Sequence, residues 1–189
     1  VGSEQKLYFQ QLFKALELVG YDWADKCYHL SFGMISLPEG KMKSREGTVV
    51  DADDLMDELE DMSMKDLKAR YLEMNDDEVK RRAEVISLGA LKFFMLKYDS
   101  NKDFTYDAKE SISFEGETGP YVQYVYSRIN SIFKKGNVDV EKLMEMKDGV
   151  DYSNLNDDFN ALVKMTGNFG DVVKDSSEHY APHIIARYL

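Results

Sequence analysis

Between Phe32 and Val50 the chain reads Phe32-Gly33-Met34-Ile35-Ser36-Leu37-Pro38-Glu39-Gly40-Lys41-Met42-Lys43-Ser44-Arg45-Glu46-Gly47-Thr48-Val49-Val50. Apolar residues suited to a buried strand lead into Pro38 and Gly40, which punctuate a turn, and a second β-branched run follows Gly47. Lys41, Lys43, Ser44 and Arg45 are clustered between the two runs. Both flanks must find partners in a sheet, and the basic stretch between them must face water or a polyanion. By composition alone this is a solvated basic hairpin. The alternative is a phosphate-handling loop, in which cations and a hydroxyl follow negative charge as it moves toward a transition state and Gly47 admits close backbone approach.

The remaining sequence limits what such a loop serves. With 24 basic and 35 acidic residues the net charge is −11, so any RNA surface must be a local patch rather than a general property. Hydrophobic residues at 43% and aromatic residues at 12% are ample for a core in one ordinary domain or two small ones, and disorder is not the default. The single cysteine, Cys27, excludes an internal disulfide framework and leaves packing as its expected role. No apolar run has the length of a membrane span and no charged-then-apolar leader opens the chain, which reads as a soluble cytosolic protein. Val1-Gly2 reads as a strand end caught within a domain, so a fragment is expected.

Taken in order, Val1-Gly2 turns into a helix with Ser3 as N-cap and a body from Lys6 to Leu18, with Phe9, Leu12, Phe13 and Leu16 as a core stripe stopped by Gly20. Tyr28 to Phe32 alternates as a strand, and His29 within it has the look of a hydrogen-bonded structural histidine. Asp51 to Met62 predicts a helix with an acidic first turn; a second, charged helical stretch covers Lys65 to Met74, then Asn75 caps and Lys80-Arg81-Arg82 forms a basic turn. Val85, Ile86, Leu88, Leu91, Phe94, Met95 and Leu96 predict a largely buried helix in which Gly89-Ala90 lets another element approach. Asp99, Asn101 and Asp103 alternate as in a calcium loop, but Phe104 stands where that loop needs glycine. Thr118 caps a helix beginning beside Pro120, with Tyr121, Val122, Val125, Ile129, Ile132 and Phe133 as its apolar stripe. A short helix around Val140 to Met146 follows, and Phe159, Leu162, Val163, Phe169, Val172 and Val173 resume a helical pattern.

Four separated strings resemble one family in the right order. Val1-Gly2 with Gln5 and an aromatic-Phe pair, His29 with Phe32-Gly33-Met34 and the degenerate KMSKS-like Gly40-Lys41-Met42-Lys43-Ser44-Arg45, and Gly116-Glu117-Thr118-Gly119-Pro120-Tyr121 with Gln123-Tyr124 and Arg128-Ile129 are three of them. The fourth is Pro182-His183 with Tyr188-Leu189. Together they resemble the arginyl-tRNA synthetases of class I. Tyr8 stands where that family commonly has His, and Glu117 where it has Asn.

The resemblance implies an arginine–tRNA ligase that activates arginine with ATP and magnesium and passes it to tRNA(Arg). It implies catalytic roles for Lys43, Ser44 and Arg45, ATP contacts for His29, Gly33, Met34 and Lys41, and an arginine contact for Gln5. Gln123, Tyr124 and Arg128 are implied to face tRNA, and no protein metal site is implied. The implied fold is α/β and predominantly helical: a partial Rossmann-type catalytic half-domain at 1–50, a connective region at 51–115, and an incomplete α-helical bundle beginning an anticodon-binding domain at 116–189. The His-x-Gly-His signature of the family is absent, because His29, His179 and His183 cannot form it. These residues alone are therefore expected not to charge tRNA, and apolar faces are expected to be left exposed or covered by self-association. The other class of reading is a non-catalytic RNA- or protein-binding module with synthetase-like architecture.

Overall fold

The computed structural model describes residues 1–38, 40–41, 51–145 and 156–189. Lys43, Ser44 and Arg45, with Gly47 and the Thr48-Val49-Val50 run, lie outside them, as do residues 146–155 between the later helices.

Val1 and Gly2 run beside the segment ending at Phe32, with a parallel bridge from Gly2 to Phe32. Phe32 N–H donates to Val1 O at 3.0 Å and Ser3 N–H to Phe32 O at 2.7 Å. The expected strand from Tyr28 is thus reduced to a single bridge at Phe32, since among the described residues no second partner extends the ladder. Ser3 to Gln5 form a 3-10 turn without a side-chain cap, so the N-cap role expected of Ser3 is not taken. Helix α1 (Lys6–Val19) ends at Gly20, whose φ of 95° and the bonds Gly20 N–H to Glu17 O and Tyr21 N–H to Leu16 O make a Schellman stop. Its expected core stripe is only half covered: Phe9, Phe13 and Leu16 are half-buried and Leu12 is exposed.

Strand β1 (Ile35–Leu37) pairs antiparallel with β2 (Gly40–Lys41) and parallel with β3 (Phe104–Thr105), in the order β2-β1-β3. Lys41 pairs opposite Ser36, so its backbone belongs to a strand rather than to the loop that the sequence suggests.

The two charged stretches expected at 51–62 and 65–74 are one continuous helix, α2 (Ala52–Arg70), with Asp51 accepting from Asp53 N–H as its cap. Nothing between Met62 and Lys65 breaks helical geometry, and Leu59, Ser63 and Leu67 form one buried line across the supposed gap. Asn75 accepts from Glu78 N–H at 2.8 Å and starts α3 (Asp76–Leu96). Arg81 and Arg82 lie within its first turns, both bonded to Glu78, and not in a basic turn. The buried face of α3 is Val79, Ala83, Ser87, Ala90 and Phe94, while Val85, Leu88 and Leu96 are exposed. Small residues win that face because α2 and another helix both approach closely; Leu67, Val79 and Ala83 form the core there, with Met64, Met74 and Ile86 packed around them.

After β3 come α4 (Ala108–Ser111), α5 (Gly119–Lys135), α6 (Val140–Glu145), α7 (Asp157–Gly167), α8 (Phe169–Glu178) and α9 (Pro182–Tyr188). Thr118 accepts from Tyr121 N–H at 3.3 Å, as expected of a cap. The stripe of α5 is largely uncovered, with Tyr121, Val125, Ile129 and Ile132 exposed, and Phe159, Leu162 and Val163 of α7 are exposed too. No helix among the described residues is long and apolar enough to cross a membrane.

Candidate functional site

Two parallel segments end side by side, one running into Ser3-Glu4-Gln5 and the other into Gly33-Met34. Parallel pairing aligns the carboxyl ends of both strands, the edge at which α/β sheets bind ligands. The bridge therefore leaves Gln5 and Gly33-Met34 each just beyond one of two parallel segments. Gln5 is exposed there, its N–H donating to Gly2 O at 3.1 Å.

The Gly33-Met34 backbone is held from behind by the loop between α3 and β3. Gly33 N–H donates to Ser100 O at 2.6 Å, and Met34 N–H donates to Asp103 Oδ1 at 2.7 Å. Met34 O accepts from Phe104 N–H at 3.1 Å, and the Ser31 hydroxyl donates to Asn101 Oδ1. A β-carbon on Gly33 would fall 2.2 Å from Lys102 O, so only glycine fits against this loop. The glycine is thus demanded by the loop behind it, and both polar groups of the Met34 backbone are already engaged within the chain.

The loop has its own bracing. Asn101 N–H donates to Asp99 Oδ1 at 2.9 Å, and this bond holds the Asp99 carboxyl below its usual range, with the Asn101 side chain and the charges of His183 and Lys102 adding to it. Tyr98 stacks on Phe104 with ring centroids 4.4 Å apart. The side chains of Asp99 and Asp103 therefore hold backbone amides, and that of Asn101 holds the Ser31 hydroxyl. Among the described residues no group of three or more His, Cys, Asp or Glu side chains is arranged to hold a metal ion. The contacts of Asp103 and Asn101 with the segment Ser31 to Met34 are not visible in the sequence, where their alternate spacing raises only a calcium-loop reading that Phe104 opposes.

His29 does not join the edge. Its Nε2 lies 3.2 Å from Val1 O, and since a carbonyl only accepts, that nitrogen carries the proton. Its ring stacks on Phe9 at 4.3 Å, the structural use that its sequence setting suggests. Lys43, Ser44 and Arg45 lie outside the described residues, and of Lys41 only the backbone is described.

The three residues expected to face RNA divide. Gln123 turns into the helix crossing: its Nε2 donates to Val85 O at 3.0 Å, while its buried Oε1 has no partner among the described residues. Tyr124 is exposed, and its hydroxyl accepts from Arg128 Nη1 at 3.1 Å on the outer face of α5. Only Tyr124 and Arg128 therefore form a pair open to solvent.

The arrangement has close relatives. Residues 1–108 match the family described as tRNA synthetases class I (R), catalytic domain, and residues 122–189 match the DALR anticodon binding domain. The chain is 43% identical over 191 residues to the arginine–tRNA ligase of Treponema denticola, covering 100% of this chain and 32% of that protein. To the arginine–tRNA ligase of Flavobacterium psychrophilum it is 41% identical over 192 residues, covering 100% of this chain and 31% of that protein. The chain thus spans about a third of the length of these relatives. Thermus thermophilus arginyl-tRNA synthetase superimposes with a TM-score of 0.77 at 28% identity, over 93% of this chain and 28% of that one. The Plasmodium falciparum arginyl-tRNA synthetase shares the fold, with a TM-score of 0.76 at 24% identity over 100% of this chain and 31% of its own. From the parallel pair at its start through the loop that braces Met34, and over more than half its length, the chain belongs to the class I (R) tRNA synthetase catalytic-domain family.

Proposed function

We propose that these residues supply one part of an arginine–tRNA ligase, which condenses arginine with ATP and passes arginine to the terminal ribose of tRNA(Arg). The observation that carries the reading is the parallel bridge of Gly2 with Phe32, which leads into Gln5 on one segment and into Gly33-Met34 on the other, in a chain whose curated relatives are named arginine–tRNA ligases. ATP enters as its magnesium complex and therefore as substrate.

In the first step a carboxylate oxygen of arginine attacks the α-phosphorus, and the bond to the pyrophosphate oxygen breaks. Charge grows on the leaving group, so Lys43, Ser44 and Arg45, helped by Lys41, act by stabilising it. Gly33 and Met34 border the adenine, His29 acts from the neighbouring segment, where it holds Val1 O and stacks on Phe9, and Gln5 faces the amino acid. Tyr124 and Arg128, with Gln123 beneath them, belong to the side turned to tRNA. The division into 1–50, 51–115 and 116–189 gives these tasks to successive segments, and the reading carries a cytoplasmic setting.

The test is a segment exchange. Residues 1–189 replace the matched segment of the Treponema denticola ligase, and ATP-dependent arginylation of tRNA(Arg) is measured for the exchanged protein and for this chain alone. The expected result is charging by the first and none by the second, since the chain holds no His-x-Gly-His signature and half of a preorganised site loses most of its rate. Robust charging by the chain alone would defeat the division of labour. A folded but inactive exchange protein, together with ATP-independent and steeply salt-dependent tRNA binding by the chain, would move the reading to a non-catalytic module.

A further inference from the structure

We infer that Asp103 is a positioning residue for ATP, acting through the amide of Met34; the inference rests on the proposed reading of Gly33-Met34 as the adenine-bordering backbone. Regular parallel pairing of β1 with β3 covers Ile35 opposite Phe104 and Ser36 opposite Thr105. One step upstream, the bond from Lys102 N–H to Asp99 O turns the neighbouring chain away, at 2.9 Å, and no ladder carbonyl is available to the Met34 N–H. The Asp103 carboxylate takes that place at 2.7 Å, a distance typical of a charge-assisted bond.

The same loop fixes the two residues before it. Ser100 O holds the Gly33 N–H, and Asn101 holds the Ser31 hydroxyl. Ser31 and Gly33 are buried, so the segment is clamped on its inner side, and the bridge of Phe32 with Gly2 ties it to the segment that leads into Gln5. Three anchors from Ser100, Asn101 and Asp103 of one loop set where Met34 stands relative to the ligand edge. Asp103 is the one anchor that acts on Met34 through a side chain, so substitution reaches it directly.

The experiment uses the 189-residue chain with ATP as the probe, ATP affinity by titration calorimetry, and amide hydrogen exchange read at Met34. The amides of Ala83 and Phe94 within α3 report that the fold is kept. Asp103→Ala is expected to speed exchange at Met34 and to weaken ATP binding about tenfold or more, the scale of one bond to a charged acceptor. Asp103→Asn keeps an acceptor oxygen at the same reach and is expected to retain Met34 protection and most of the affinity.

Faster Met34 exchange with unchanged ATP affinity in Asp103→Ala overturns the inference and leaves the loop a purely structural brace. Asparagine behaving like alanine overturns it as well, because the acceptor oxygen would then not be what matters. Should Asp103→Ala lose protection throughout α3, Asp103→Glu decides: it shifts the acceptor by one methylene with the charge kept, and unchanged affinity overturns the inference. A wild-type chain that binds no ATP overturns the inference, since Met34 would then border no ligand, and leaves the functional reading to the segment exchange; ATP binding indifferent to Asp103 sinks the inference alone as well.

Discussion

A β-carbon on Gly119 would lie 2.3 Å from the carbonyl oxygen of Gly89, so α5 begins in backbone contact with α3. The atoms it would meet belong to the main chain of a packed helix and cannot swing aside. Gly119→Ala is expected to destabilise the fold by about 1–3 kcal/mol, the cost of forced overpacking. Gly89→Ala meets the movable end of the Gln123 side chain, also at 2.3 Å. Its loss of the Gln123 bond is offset by the better helix propensity of alanine, each about 1 kcal/mol, so it is expected to be near neutral. Urea midpoints of the two variants check this, and equal midpoints would show that the crossing is looser than the glycines imply.

Thr118 does two things at the start of the same helix. Its Oγ1 accepts from Tyr121 N–H, and its hydroxyl donates to Ser113 O, in a residue only 3% exposed. Thr118→Ala removes both bonds and is expected to cost about 1–2 kcal/mol, with Thr118→Ser recovering most of it. Thermal unfolding of the pair measures the difference; a serine variant as weak as alanine would assign the cost to the lost methyl group.

Lys97 ties the end of α3 to the elements that follow. Its Nζ lies 3.0 Å from Glu110 Oε1, 3.4 Å from Glu117 O and 4.4 Å from the centroid of the Phe94 ring, and the side chain is 9% exposed. Glu110 is half open to water, so it is resolvated when the lysine goes and the ion pair itself adds little. Lost packing of the stem and the orphaned carbonyl dominate. Lys97→Ala is therefore expected to cost about 1–3 kcal/mol and Lys97→Met, which keeps the stem, clearly less. Equal denaturation midpoints for both would instead make the charge the main contributor.

Glu78 gives the chain an acid-sensitive element. Bonds from Arg81 and Arg82 hold its carboxyl down at about 2, below the ordinary value of 4.5. With the folded value depressed, the stabilisation is fully present above pH 4.5 and is lost as pH falls through the window toward 2. Glu78→Gln is expected to flatten stability against pH in that window, and added salt to shrink the difference, because the group lies at the surface. Parallel stability profiles for the variant and the wild type between those pH values would contradict the assignment.

Much of the local plan is legible in the chain itself. Asn75 and Thr118 cap the helices that they announce, Gly20 stops α1, and Gly89-Ala90 marks a close approach. Each depends on a backbone need met within a few residues. The four family strings likewise pointed to the class I (R) catalytic family, which the match over residues 1–108 bears out. The misreadings share a different cause. Val85, Leu88 and Leu96 look like core but are exposed, while Ala83 and Ala90 are fully buried, because the face of α3 that is covered depends on where α2 and α5 cross it. The bond from Gln123 to Val85 O is likewise invisible in the sequence, for the same reason.

The sequence by itself determined the caps, the stops, the helical periods and the family, since these rest on short-range backbone chemistry and on the order of residues. Only the tertiary structure decided that Asn101 meets the Ser31 hydroxyl and Asp103 the Met34 amide. Ser31, Gly33 and Met34 lie some seventy residues from that loop in sequence, as Ser31 does from Asn101 at a separation of 70. Parallel pairing of β1 with β3 across that distance brings the carboxyl group of Asp103 to an amide that its own neighbourhood leaves unpaired.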